Sequence, residues 1–393
     1  MHPRKSILVI FAGLIILAGC KKQDNAPSKR NTAPDDCVQG SAVDNGTVID
    51  GKYIVVYKNT AVSAKGMSAE RLTEINQDAL SRNNIPSSAL DKSFGGELPG
   101  FVASLSDDEL SRLKQDVSIE AIEPDRIISL SECFTVAEPR LITWNISRVG
   151  YGNGIGKRAW IIDTGIDFNH PDLTVDASKS KSFISGVTSA TDENGHGTHV
   201  AGIIGAKNNS FGVLGVASGA TLISLRVLDK DGKGSVSNII QALSYVSANA
   251  SPGDVVNMSV GDDDGVSDIL DQQVKNVAAK GIYFAIAAGN DHKLANTTSP
   301  ARANGSTIYT VSAIDSLDNF ASFSNYGNDV VDYAVPGVRI LSTYMGNKYA
   351  YMSGTSMAAP HMAGLLLLKG ANISTSGAAK NDPDGTPDPI AHF

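Results

Sequence analysis

Three short segments carry side chains that together can cut an acyl bond. Asp163-Thr164-Gly165-Ile166-Asp167 offers a carboxylate, and His196-Gly197-Thr198-His199-Val200-Ala201-Gly202 offers an imidazole. Gly354-Thr355-Ser356-Met357-Ala358-Ala359-Pro360-His361 offers a hydroxyl. A serine hydroxyl becomes a useful nucleophile when a neighbouring base takes its proton during attack. An imidazole serves best when a carboxylate on its other nitrogen fixes the tautomer and stabilises the imidazolium. Ser356, His196 and Asp163 are therefore expected as nucleophile, base and orienting carboxylate. A second chemistry is open to the same region: Asp163, Asp167, His170, Asp172, His196 and His199 could be ligands of a metallohydrolase. That reading gives residues 354–360 and Asn290 no purpose.

Such side chains need rigid elements to position them. Apolar runs expected as strands at 159–162, 221–227, 255–260, 282–287 and 308–314 alternate with helical patterns at 196–206, 235–248, 266–280 and 356–369. This alternation predicts an α/β fold, a parallel sheet with helices on both faces. In such sheets, sites form beyond the carboxyl ends of the strands. Asp163, Gly261 and Asn290 all fall just past strand ends. His196 and Ser356 are expected to open helices after glycines, and Ala358, Ala359, Ala363 and Gly364 allow the serine helix to pack closely. Pro360 lies near enough to that helix start to be tolerated. Upstream, strands at 52–57, within 90–98, at 101–105 and at 119–128 flank helices at 68–83 and from Ser106, whose spacing to Glu109 is that of a capping box. Their order, βαββαβ, predicts a small α+β domain of the ferredoxin-like, split βαβ kind.

The three motifs, in the order Asp, His, Ser, make the chain from Trp144 to Gly370 resemble the subtilisin-like serine proteases. The resemblance implies a subtilisin-like fold and serine endopeptidase activity on protein or peptide substrates, with no organic cofactor. It implies that Asn290, in Ala287-Ala288-Gly289-Asn290, donates to the developing oxyanion together with the backbone N–H of Ser356. Asn257-Met258-Ser259-Val260-Gly261 resembles the strand that pairs with substrate, so Ser259, Val260 and Gly261 are expected to bind it, with Ala288 and Gly289 walling the pocket. Asp262, Asp263 and Asp264 follow; they form either a selector for Lys or Arg before the cut or a solvated acidic turn. Lys207-Asn208-Asn209-Ser210-Phe211-Gly212-Val213 resembles a loop that wraps structural Ca²⁺. The implied ligands are Lys207, Asn209, Phe211 and Val213 with Asp172. Asp229-Lys230-Asp231-Gly232-Lys233-Gly234 fails as an EF-hand loop because its twelfth position is Ile240, and it is expected as a turn bordering the substrate groove. The small domain resembles the inhibitory propeptides of these proteases through Gly100-Phe101-Val102 and Glu123-Pro124-Asp125. That implies a zymogen whose propeptide templates folding and blocks the cleft until a cut between 130 and 141. The alternative of a catalytically silent binding protein on the same fold predicts a lost triad residue, and none is lost.

The ends of the chain speak to location. Arg4 and Lys5 precede an apolar run at 7–17 that is too short to span a bilayer and has the layout of an export signal. Leu17-Ala18-Gly19-Cys20 resembles a bacterial lipobox, which implies a membrane anchor through lipidated Cys20, at an outer membrane or cell surface. The expected divisions are a signal at 1–20, a flexible tether at 21–50, the propeptide at 51–130, a processing linker at 131–140 and the peptidase at 141–393. Of the 3 cysteines, Cys37 and Cys133 remain, an even pair in an exported chain that either bridges or stays as two thiols. A length of 393 residues accommodates these units, and a net charge of −8 argues against nucleic acid as a partner. After Gly370 a short tail stands where relatives commonly continue with more helix, and residues 381–388 read as turns and solvated loop.

Overall fold

Side chains on a strand alternate between faces, so a sheet covered on both sides needs apolar residues at every position. Arg158–Asp163 meets that demand: Ala159 and Ile161 enter one core, Trp160 and Ile162 the other. The computed structural model describes residues 38–39, 46–58, 62, 67–129, 133–136, 142–261 and 265–393. Its principal sheet has nine strands and is parallel through its centre, running Val331–Pro336, Ile308–Ile314, Tyr283–Ala287, Val255–Met258, Arg158–Asp163 and Thr221–Arg226. Helices His196–Gly205 and Thr355–Lys369 cover the first face through Val200, Ile203, Met357 and Leu365. Val236–Asn249 and Asp268–Ala278 cover the second through Ile239, Leu243, Leu270 and Val274. Among the described residues, no helix is long and apolar enough to cross a membrane.

The tail is turns over 381–387, as expected, and then goes further as a strand. Pro389–His392 joins the principal sheet beside Val331–Pro336, parallel to it, and Ile390 and Ala391 are fully buried. Asp388 is 2 % exposed and accepts from Ser312 Oγ at 2.6 Å. A stretch of Asp, Pro and Gly reads as solvated loop from composition; here it delivers a strand that covers a sheet edge. The hairpin Ile340–Tyr344 and Lys348–Met352 was likewise not anticipated.

The N-terminal unit is the βαββαβ arrangement expected. Strands Val48–Tyr57, Leu90–Phe94, Gly100–Ser104 and Ile119–Ser129 form an antiparallel sheet with helices Ala69–Arg82 and Asp107–Leu113. Ser68 caps the first helix, and Ser106 with Glu109 forms the capping box of the second. The first strand begins at Val48, inside the stretch expected as tether.

Lys233–Ser235 of the larger unit extends this small sheet by pairing antiparallel with Ile127–Ser129. Two acidic residues on the same strand face helix N-termini of the larger unit, where unpaired N–H groups favour negative charge. Asp125 accepts from Ser237 N–H at 3.2 Å and Ser237 Oγ at 2.6 Å. Glu123 accepts from Ser267 Oγ and from the N–H of Ile269. Burial pushes both carboxyls up, Glu123 to about 7. A carboxyl raised in the assembled state binds its proton more tightly there. Its contribution is fully present below the ordinary value of 4.5 and is lost as pH rises through about 7. In the Ser356→Ala chain, thermal unfolding should therefore show Glu123→Gln gaining on its parent between pH 4.5 and 7.5; a constant difference across that window would contradict the assignment.

Candidate active site

A buried carboxylate ends a central strand. Asp163 is fully buried at the end of Arg158–Asp163, and its Oδ1 lies 2.7 Å from His196 Nδ1. The same oxygen accepts the Thr164 N–H at 2.7 Å. A carboxylate accepts, so Nδ1 carries the proton and Nε2 is the basic face of the ring. His196 is the first residue of its helix. Gly195 before it has φ of 114°, and a Cβ there would meet the Tyr344 ring at 2.0 Å, so only glycine fits.

The backbone under His196 is fixed by Asp192, which composition alone did not single out. Its carboxylate accepts from Asn194 N–H at 2.9 Å, Gly195 N–H at 3.0 Å, Thr198 N–H at 3.0 Å and the hydroxyls of Thr164 and Thr198. Thr164 Oγ1 in turn accepts from Gly197 N–H at 2.9 Å. One buried anion thus ties the strand that carries Asp163 to the helix that carries His196. A carboxylate just before a glycine-led helix is the signal that could have found it.

Ser356 is the second residue of Thr355–Lys369, where a backbone N–H has no partner within the helix. Its Oγ donates to the Ser259 carbonyl at 3.1 Å. Pro360 lies inside this helix, not merely in its first turn, and lacks the N–H that would bond the Ser356 carbonyl. Ser259 Oγ supplies the missing donor at 2.8 Å and accepts from Asn257 Nδ2 at 2.9 Å. The proline breaks one helical bond and thereby lets a neighbouring strand end grip the serine.

Asn290 is placed by the residue before Ser356. Its Oδ1 accepts from Thr355 N–H at 2.8 Å and Thr355 Oγ1 at 2.9 Å, while Thr355 Oγ1 accepts from Gly289 N–H at 3.1 Å. With the oxygen held, the Asn290 NH₂ is the edge left for a ligand. Asn325, buried and not anticipated, braces the same loop by donating to the Ala288 carbonyl at 2.9 Å and accepting from Asp291 and Lys293 N–H. The histidine and serine helices pack against each other on one side of the sheet.

Residues 160–378 match the Subtilase family, and residues 52–131 match the Peptidase inhibitor I9 family. The chain belongs to the subtilase family. It is 35 % identical over 384 residues to an extracellular serine proteinase of a Thermus species, covering 92 % of this chain and 88 % of that one. It is 37 % identical over 334 residues to alkaline serine protease ver112 of Corniculantispora psalliotae, covering 81 % and 79 %. The crystal structure of a cold adapted subtilisin-like serine proteinase matches with a TM-score of 0.56 at 33 % identity, covering 64 % of this chain and 98 % of that one. The protein is thus a serine-type endopeptidase of the subtilase family with an inhibitor I9 domain ahead of it.

Of the other expected ligands of this subtilase, the structure gathers Asn209 and Val213 around the Asp172 carboxylate. Asp172 accepts from Asn209 Nδ2 at 2.7 Å, Val213 N–H at 3.0 Å and the Tyr349 hydroxyl at 3.3 Å. Asn209 turns its oxygen to the Phe211 N–H, and the Lys207 ammonium sits on the Pro171 carbonyl. Lys207, Asn209, Phe211 and Val213 thus lie in one loop beside the Asp172 carboxylate, the set that the resemblance implies for Ca²⁺. The metallohydrolase alternative finds no support: among the described residues no three His, Cys, Asp or Glu converge as ligands. His199 Nε2 points at the carbonyls of Ile340 and Ala350, and His170 at that of Lys348.

Ser259 and Val260 are buried, Ser259 bonded to Ser356, and Gly261 after them is half-buried. Residues 229–232 form the expected turn, and Lys233–Ser235 directly after it is a pairing edge. Cys20, Cys37, Asp262, Asp263 and Asp264 lie outside the described residues. Thr355→Val should remove the hydroxyl that anchors Asn290 while preserving shape. Steady-state peptide hydrolysis should show kcat lowered about 5–20-fold with KM little changed; an unchanged kcat would deny Thr355 this role.

Proposed function

We propose that the chain is a self-processing endopeptidase zymogen in which Ser356 attacks the scissile carbonyl, His196 is the base and Asp163 its orienting partner. The observation that carries this reading is the 2.7 Å contact from Asp163 to His196 Nδ1, which leaves Nε2 able to take a proton. Ser356 Oγ passes its proton to that nitrogen as it bonds the carbonyl carbon. His196 returns the proton to the leaving amine, and water then hydrolyses the acyl-enzyme by the same route. The Asn290 NH₂ and the Ser356 N–H donate to the oxyanion. Lys233–Ser235 holds substrate backbone on the amino side of the cut; Ser259, Val260 and Gly261 line the other side of that strand, and Ala288 and Gly289 wall the pocket.

The same edges bear on processing. Ile127–Ser129 lies on Lys233–Ser235, and Cys133–Val136 lies on Lys348–Met352, four residues before Ser356. The chain between Ser129 and Cys133 spans at most about 14 Å. We infer that the self-processing cut falls there, at the start of the expected linker at 131–140, and that the propeptide at 51–130 is the inhibitor released. We further propose export and anchoring: the signal at 1–20 and Cys20 support it, as does the extracellular name of the Thermus relative.

Ser356→Ala should abolish peptide hydrolysis, self-processing and labelling by a serine-directed fluorophosphonate together; hydrolysis persisting in the purified variant would refute the assignment. Asn290→Ala should lower kcat about 10²–10³-fold, the cost established for this kind of donor in subtilisin. Mass spectrometry of the processed enzyme should find its first residue between 130 and 133, and a start at or beyond 137 would reject the inferred cut.

A further inference from the structure

We propose that Asn325 is a positioning residue for the oxyanion donor: it fixes the main chain on both sides of Asn290, so that the Asn290 NH₂ meets the developing charge without further rearrangement. This rests on the endopeptidase reading above and deepens it by one residue that touches neither substrate nor triad.

Asn290 stands in a stretch without an apolar anchor. Ala288 and Ala295 are fully buried, but no side chain from 289 to 294 is buried. Thr355 holds the Asn290 amide oxygen and the Gly289 N–H, which leaves the backbone after Asn290 to be held by other means. Asn325 supplies them. Its Nδ2 donates to the Ala288 carbonyl at 2.9 Å, and its Oδ1 accepts from the N–H groups of Asp291 at 3.0 Å and Lys293 at 3.1 Å. Its own N–H donates to the Gly289 carbonyl at 2.9 Å. One residue therefore bonds main-chain groups before and after Asn290, and the oxyanion donor lies between them.

The clamp is itself anchored. Ser324 and Asn325 are both fully buried. Ser324 Oγ donates to the Asn325 carbonyl at 3.0 Å and accepts from the Ala313 N–H at 3.1 Å, which joins the pair to strand Ile308–Ile314. On either side the same two segments stay bonded, His292 N–H to the Phe323 carbonyl at 2.8 Å and Tyr326 N–H to the Lys293 carbonyl at 3.1 Å. The residue type follows from the demand. One planar side chain must accept twice and donate once where water cannot replace a lost partner, and each bond left unmade there is costly. An ionised Asp has no donor for the Ala288 carbonyl, and Leu has neither donor nor acceptor. An Asn290 held loosely still lets substrate bind, but its NH₂ meets the oxyanion in poor geometry, so the loss falls on kcat.

A double-mutant cycle read by steady-state peptide hydrolysis separates this role from general support of the fold. Asn325→Ala should lower kcat about 10–100-fold with KM changed less than about two-fold. In the Asn290→Ala background the same substitution should lower kcat less than about three-fold, because the donor that it positions is gone. Equal losses in the two backgrounds would overturn the positioning role and leave the endopeptidase reading standing, since damage to the fold is indifferent to the side chain at 290. Where circular dichroism shows that Asn325→Ala has not folded, Asn325→Asp takes its place in the cycle under the same criterion, since it keeps both accepted bonds and loses only the donor to Ala288. A parent chain that hydrolyses no peptide fails the endopeptidase reading itself, and the role of Asn325 falls with it.

Discussion

Burying a carboxylate at the end of a central strand is the constraint from which much of the structure follows. Asp163 is fully buried, and an uncompensated charge there would be costly. The molecule answers with the Thr164 N–H and the His196 imidazole, and it then has to hold that imidazole. Asp192 does so by collecting the N–H groups at the start of the histidine helix and the hydroxyls of Thr164 and Thr198. Two buried anions, one at a strand end and one at a helix start, thus fix the geometry of a single ring. Asp163 takes its two N–H donors on Oδ1, whereas Asp192 takes N–H and O–H donors on both oxygens.

The N-terminal domain applies the same electrostatics across an interface. Glu123 and Asp125 occupy the N-termini of two helices they do not belong to, while the strand that bears them continues onto Lys233–Ser235. Helix-end N–H groups that would face solvent after separation are satisfied by carboxylates in the assembled chain. Recognition by helix ends and by a strand edge uses backbone groups almost entirely. It therefore specifies register largely independently of side chains.

Much of this was legible beforehand. The strands at the sheet centre and the helices on its faces follow from local apolar periodicity, because a sheet buried on both faces leaves little room for other patterns. The capping box at Ser106 and the βαββαβ order are likewise local. What escaped was set by long-range partners. The 389–392 strand hides behind an Asp, Pro and Gly stretch whose buried Asp388 is satisfied by Ser312, far away in sequence. Pro360 reads as a nuisance near a helix start until Ser259 is found bonding the carbonyl it frees. The Tyr349 hydroxyl that reaches Asp172 beside the 207–213 loop comes from a distant strand and left no local mark.

The sequence by itself determined the kinds of chemistry available and the fold that carries them, because residue type fixes which groups can donate, accept or attack, and periodicity fixes which faces are buried. Only the tertiary structure decided how each group is held: that Asp163 meets Nδ1, that Thr355 orients Asn290, and that 127–129 and 133–136 pair with different strand edges. Those arrangements depend on atoms brought together from segments tens to hundreds of residues apart, and no local pattern records which of their hydrogen bonds will be made.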